Sequence, residues 1–322
     1  MKGIRTMTSR TAETRDLPAV TDAIGTGIAI PPDAAGALRD ALAASKSPAT
    51  IRAYRTAWAA WEAWADRHGT AAMPAAPEHV AAYLADRAVG GAGMATLRMA
   101  VAAVAAMHGL KGSGSPCGDR IVRTAMRGFA RQAAGRPVRQ AKGLTADAVA
   151  AIRGSLGARA DTPPEALTMA IASVTADAGL RRSEAAALVW GDVARGDDGS
   201  GRITVRRSKT DREGEGAVVA VTPAAMADLD RLAALRGGDP DPSASVFGLS
   251  DRQISRRIAS AARAAGLGDG YSGHSARVGM AQRMTRNGAP AAAVMRQGRW
   301  STSRMVARYT RNETAGEALR YL

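Results

Sequence analysis

Near its C-terminus the chain reads GRWSTSRMVARYTRN (residues 298–312), which sets Tyr309 among arginines. A phenol in that company is either an amphipathic anchor or a nucleophile held over an anion. With an ordinary pKa of roughly 10, it attacks at neutral pH only with a proton acceptor or a strongly positive field beside it. Upstream, SGHSARVGMA puts His274 and Arg277 three apart at what reads as a helix N-terminus, where unpaired N–H groups favour anions. GLRRSE puts Arg181 and Glu184 three apart, on one face of a helix starting after Gly179. Each pair alone is common, and an Arg/Glu pair at that spacing is usually a surface ion pair. The charge distribution is more telling: from Gly270 to Asn312 there are eight arginines and no carboxylate, a stretch built to face an anion. Trp300 and Tyr309 stand nine steps apart, nearly opposite on one unbroken helix. They converge only if the helix begins after the tryptophan, and Ser301, Thr302 and Ser303 supply capping residues for that start.

The elements that must position these groups are mainly helical. Residues 1–34 read as a flexible polar arm rich in glycine and proline. From 35 to 133 the strong patterns are helical: Ser47 and Pro48 open a helix whose Ile51, Tyr54, Trp58 and Trp61 recur on one face as core. PEHVAAYLADRA, MATLRMAVAAVAAMHG and CGDRIVRTAMRGFARQAAG give further helices. Residues 134–142 form a basic linker, and a second domain runs over 143–322. There Thr145 caps one helix and Gly179 ends another. GRITVRRSKTDREGEGAVVAVTP then changes period to a β-hairpin. Helices are predicted at about 223–236, 251–265, 274–287, 290–297, 301–310 and 314–321.

Composition narrows the function. The 322 residues suffice for two cores, and 46% hydrophobic content excludes a disordered chain. A net charge of +15 points to a polyanionic partner, nucleic acid ahead of an anionic membrane surface. Cys117 is the single cysteine, so no intrachain disulfide forms. No apolar run is long enough to span a membrane, and the first residues lack an apolar signal core, so a cytoplasmic protein is expected. His68, His79 and His108 stand singly, without metal-ligand spacing, and there is no Walker-type glycine loop. The expectation is chemistry without a metal, ATP or another cofactor.

Together these pieces resemble the tyrosine recombinase (phage integrase) family. GLRRSE looks like its first arginine box, SKT in a hairpin loop like its lysine, and GHSARVGMA with GRWSTSRMVARYTRN like its second box. Trp300 stands where many relatives have a second histidine. The resemblance spans about residues 40–322, strongly from 170 onward. It implies a helical core-binding DNA domain (SAM-like) followed by an α-rich catalytic domain with a small β-hairpin or sheet, the two closing on DNA as a C-shaped clamp. It also implies roles. Tyr309 would attack a DNA phosphate to give a 3′-phosphotyrosine, Arg181 and Arg277 would grip the non-bridging oxygens, and His274 would assist proton transfer. Trp300 would donate its indole N–H to the phosphate, Lys209 would protonate the leaving 5′ oxygen, and Glu184 would buttress the site. Planar guanidinium forks suit that charge, and the covalent intermediate keeps the bond energy, so no ATP is required.

DNA contacts are expected from the basic run Arg120, Arg123, Arg127, Arg131, Arg136, Arg139 and Lys142, which has no acid within it, and from Arg256 and Arg257 on a second basic helix. The partners implied are double-stranded DNA sites and further copies of the chain, a dimer per site and a tetramer in the synapse, exchanging a helix at 314–322. Three rival readings use the same charge: a type IB topoisomerase, a DNA-binding regulator without catalysis, and an RNA binder. The C-terminal docking segment, the tryptophan and the intact polar set argue against them.

Overall fold

The computed structural model describes residues 45–135, 140–157, 161–208, 215–311 and 313. The arm at 1–34, Arg136, Arg139, Lys209 and the segment 314–322 lie outside the described residues. The chain divides into two compact units, Met1–Pro137 and Val138–Leu322.

The first unit packs α1 (Pro48–Arg67), α2 (Pro77–Val89), α3 (Met94–Leu110) and α4 (Arg120–Gln132). Ser47 caps α1 by accepting from the Thr50 N–H, with proline in the first turn where a missing donor costs nothing. Trp61 and Trp64 stack with ring centroids 5.6 Å apart and form the core with Tyr83, Leu84 and Leu97. Ile51 and Tyr54, expected on that buried face, are only half-buried, because the core lies toward the C-terminal half of the helix. Each indole N–H has a partner, Ala72 O for Trp61 and Asp86 Oδ2 for Trp64. His108 is buried and saturated: Nδ1 lies 2.8 Å from Val104 O, and Nε2 accepts from the Ala75 N–H.

The second unit contains α5 (Ala146–Leu156), α6 (Pro163–Ala178) and α7 (Arg182–Ala187), then β1 (Val193–Arg195), β2 (Gly201–Val205) and β3 (Ala217–Val221). Next come α8 (Pro223–Ala234), α9 (Asp251–Ala264), α10 (Ser275–Arg286), α11 (Ala291–Gly298) and α12 (Ser303–Tyr309). The strands form one antiparallel sheet in the order β1-β2-β3. The hairpin is where the alternation places it, and β1 adds a third strand. Helix α6 runs through the middle of the unit, buried from Ala166 to Ala178 except at Thr168, and is alanine-rich because neighbours approach it closely.

Two glycines set the spacing around the site. Gly179 ends α6 at φ +55°, in the left-handed region that glycine enters without a Cβ penalty. Gly279, inside α10, lets that helix lie against the Leu144 backbone, where a Cβ would meet Leu144 O at 2.1 Å. The amide of Gln297 fastens the sheet: it donates to Ala220 O at 2.7 Å, accepts from the Ala220 N–H at 3.2 Å and also donates to Asp177 O.

Candidate active site

The site is built at the turn that follows α6. After Gly179 the chain buries Leu180 and extends at Arg181, the N-cap of α7. Arg181 and Glu184 therefore face each other as cap and third helical residue, not as two positions on one helical face. The Glu184 carboxylate accepts from the Arg181 backbone N–H at 2.8 Å and from Arg181 Nη1 at 2.6 Å. Arg181 Nη1 also donates to Ser208 Oγ, just before the segment that contains Lys209.

A second turn comes from the C-terminal helices. His274 is the N-cap of α10, in a turn held to α9 by the Gly273 N–H donating to Ser255 Oγ. Arg277, one turn into α10, is 2% exposed. It donates from Nη1 to Gly179 O at 3.0 Å and from Nη2 to Gly298 O, which commits two of its N–H groups to the two turns. Its guanidinium lies over the Trp300 ring, 4.8 Å from the centroid. Helix α12 begins only at Ser303, with Thr302 extended as its N-cap, so Trp300 precedes the helix that carries Tyr309. The two rings come within 5.4 Å, tilted by 32°. Tyr309 is 6% exposed, its ring among Val278, Val294, Trp300 and Val306. Its hydroxyl oxygen is 2.8 Å from His274 Nε2. The ring is an anchor and the hydroxyl is in a polar contact with a base.

Electrostatics separate the groups. Burial lowers the His274 pKa, and the charges of Arg277, Arg308 and Arg181 lower it further, which favours the neutral imidazole at pH 7. Burial pushes the Arg277 guanidinium down to about 9, with Arg181 and Arg299 adding to the fall; it stays cationic at neutral pH. Burial alone would raise Glu184, but Arg299 and the Arg181 hydrogen bonds outweigh it and hold the carboxyl below its usual range. Positive charge thus exceeds negative charge in a desolvated place, an arrangement completed by an anion.

The structure brings together Arg181, Glu184, His274, Arg277, Trp300 and Tyr309. One further residue joins them that the motif reading passes over: Arg299, whose Nη2 lies 2.7 Å from Glu184 Oε2. Nothing in its spacing distinguishes it from the other arginines of that stretch. Of the expected DNA contacts, Arg120, Arg123, Arg127 and Arg131 are exposed along α4, whose N-terminus Asp119 caps. Lys142 is exposed but folds along a loop, donating to Leu267 O with its Nζ 5.7 Å from the Tyr271 ring centroid. Arg256 is exposed on α9, whereas Arg257 turns inward to Pro164 O and Thr168 Oγ1. Among the described residues no group of three or more His, Cys, Asp or Glu could hold a metal ion, and no helix is long and apolar enough to cross a membrane.

Fold and motifs define a class: residues 144–315 match the phage integrase family, more than half of the chain, and the protein belongs to that family of tyrosine recombinases. Its relatives can be named. The chain is 28% identical over 290 residues to the integrase/recombinase XerD homologue of Selenomonas ruminantium, covering 82% of each. It is 25% identical over 277 residues to recombinase Cre of Escherichia phage P1, covering 78% of this chain and 80% of that one. Its fold is similar to that of lambda integrase residues 75–356, solved as a dimer bound to a COC′ core site, with a TM-score of 0.57 at 20% identity over 82% of this chain and 89% of that one.

Proposed function

We propose that this protein is a site-specific DNA recombinase that cuts and rejoins strands through a covalent bond to Tyr309. The observation that carries the reading is the 2.8 Å approach of the Tyr309 hydroxyl to a His274 whose neutral form is favoured, next to the buried Arg277. As Tyr309 Oη attacks phosphorus, His274 Nε2 accepts the phenolic proton. The bond from phosphorus to the 5′ oxygen breaks, a 3′-phosphotyrosine forms, and Lys209 protonates the departing oxygen. A 5′ hydroxyl from the exchanged strand reverses the sequence and frees the tyrosine. One phosphate ester replaces another at each step, so no nucleotide hydrolysis drives the reaction.

Arg181 and Arg277 neutralise charge on the non-bridging oxygens, Arg277 from beneath the Trp300 ring, and Trp300 donates its indole N–H. Glu184 orients Arg181. Double-stranded DNA is the substrate, held by the first unit through the α4 arginines and by Arg136, Arg139, Lys142 and Arg256, while Arg257 is engaged with Pro164 O and Thr168 Oγ1. Strand exchange takes two copies on each of two sites, joined by residues 314–322 docking on a neighbour. The kinship with Cre and the DNA-bound lambda integrase dimer support this assignment.

The test is covalent capture. A pool of nicked duplexes with randomised sequence is incubated with the protein in EDTA and enriched for SDS-resistant adducts. Wild type accumulates adduct on a convergent sequence. Tyr309→Phe, folded by circular dichroism, binds that duplex and yields none. Adduct from the phenylalanine variant would transfer the role of nucleophile elsewhere.

A further inference from the structure

Arg299 sits where local preference argues against an arginine. Its backbone is left-handed, φ 51° and ψ 51°, and it is the sole residue other than glycine with positive φ among the described residues. Side chains with a Cβ are disfavoured there, and glycine or asparagine is the ordinary occupant. The side chain is 5% exposed, and its Nε is buried with no hydrogen-bond partner. A residue kept in this way is fixed by what surrounds it. Nη1 donates to Ala178 O and Gln297 O, each at 3.0 Å; Nη2 donates to Gly179 O at 2.8 Å and to Glu184 Oε2 at 2.7 Å. One guanidinium thus joins the turn after α6 to the turn after α11 and meets the carboxylate that holds Arg181.

The charges explain why a cation is needed there. Glu184 is buried against Arg181, and with Arg181 alone as its partner it would cancel the charge that the phosphate requires. With Arg299 present, three guanidiniums (Arg181, Arg277 and Arg299) face one carboxylate, an excess of two positive charges beside Tyr309. We propose that Arg299 is a positioning residue for strand cleavage: it offsets the charge of Glu184, so that Glu184 orients Arg181 without neutralising it, and it clamps the two turns that carry Arg181 and Trp300. This assignment rests on the recombinase reading above.

The test compares single-turnover adduct formation by R299G, R299M and R299K on the duplex enriched with wild type. Glycine suits a φ of 51°, so the relieved backbone in R299G offsets part of the stability lost with the side chain's hydrogen bonds, and its fold is checked by circular dichroism. Adduct formation falls about 10- to 100-fold in R299G and R299M, the scale of a buried charge-assisted hydrogen bond. R299K retains more activity than R299M, because an ammonium still faces Glu184. In R299G the acid limb of the pH–rate profile moves to higher pH: Glu184 has lost the cation that holds it ionised and protonates sooner as pH falls. Adding E184Q to R299G removes the uncompensated carboxylate and restores part of the rate, as do millimolar concentrations of guanidinium ion. Wild-type rates in R299G and R299M with an unmoved acid limb would overturn the assignment. So would E184Q/R299G no faster than R299G, with R299K equal to R299M. If wild type itself forms no adduct, the recombinase reading falls and takes this assignment with it; adduct from wild type and equally from all three variants sinks the assignment alone.

Discussion

Arginine plays opposite parts in the two units. Along α4 of the first unit, Arg120, Arg123, Arg127 and Arg131 project into solvent above a buried Val122. In the second unit Arg277 and Arg299 are enclosed, their N–H groups directed at main-chain carbonyls of specific turns. Exposed cations act by number. Each neutralises a phosphate and releases counterions, and none needs a fixed geometry. Enclosed cations act by placement, since a buried guanidinium costs desolvation and is useful only if an anion arrives where it points. On the proposed function, the first unit holds DNA of any sequence and the second holds one phosphate in one orientation.

Four substitutions press on that contrast. The largest effect is expected from Arg277→Met. The fold lowers the Arg277 pKa to about 9, so folding favours its neutral form, and the cation is a cost to stability at neutral pH that lessens as pH rises through the folded value. Methionine removes the cost while losing the hydrogen bonds to Gly179 O and Gly298 O. Adduct formation should fall on the order of 10²–10³-fold with a Tm equal to or above that of wild type. A variant that melts several degrees lower yet still cleaves would make Arg277 a strut and erase the distinction drawn above.

A pair of glycines gives a middle effect of opposite sign in the two units. At Gly279 a Cβ would lie 2.1 Å from Leu144 O and 2.3 Å from Leu144 C, both main-chain atoms. Gly279→Ala should destabilise by about 1–3 kcal/mol, measured by urea unfolding. Gly128 in α4 has nothing within 4 Å of the same position, and Gly128→Ala should stabilise by roughly 0.5–1 kcal/mol. Two destabilised variants would mean that α4 is held as tightly as α10.

The smallest effect belongs to a single exposed cation. Arg127→Gln should weaken DNA binding by a similar factor on all sequences and lower the salt slope by about one. The rate of adduct formation at saturating DNA should not change. A selective loss on the enriched duplex would give Arg127 a role in reading sequence.

Local chemistry made much of this legible. Ser47 with Pro48, Thr145 and Gly179 end or begin helices because caps satisfy groups that would otherwise be orphaned, a requirement of the backbone alone. Trp300 and Tyr309 meet because α12 begins at Ser303, after the tryptophan, with Thr302 extended at its N-cap and making no side-chain capping bond. Three things were not legible. Strand β1 spans only Val193–Arg195, too short for alternation to register. Arg181 proved to be a cap because Glu184 reaches back to its N–H, and spacing cannot tell that from two residues on one helical face. Arg299 reads as one arginine among many and Arg257 as a DNA contact, yet tertiary carbonyls draw both inward. Periodicity reports which side chains are apolar; it carries no information about which polar ones find partners distant in sequence.

The clasp of Gln297 on Ala220 reaches beyond the site. Strand β3 ends the sheet, and a bare strand margin is a template for another chain to add on and begin an aggregate. By occupying both the N–H and the carbonyl of Ala220, a single side chain stands in there for a missing neighbour strand. The residue that covers this strand margin immediately precedes Gly298, whose carbonyl Arg277 binds, so protection of the sheet edge and the placement of a buried guanidinium are inherited together.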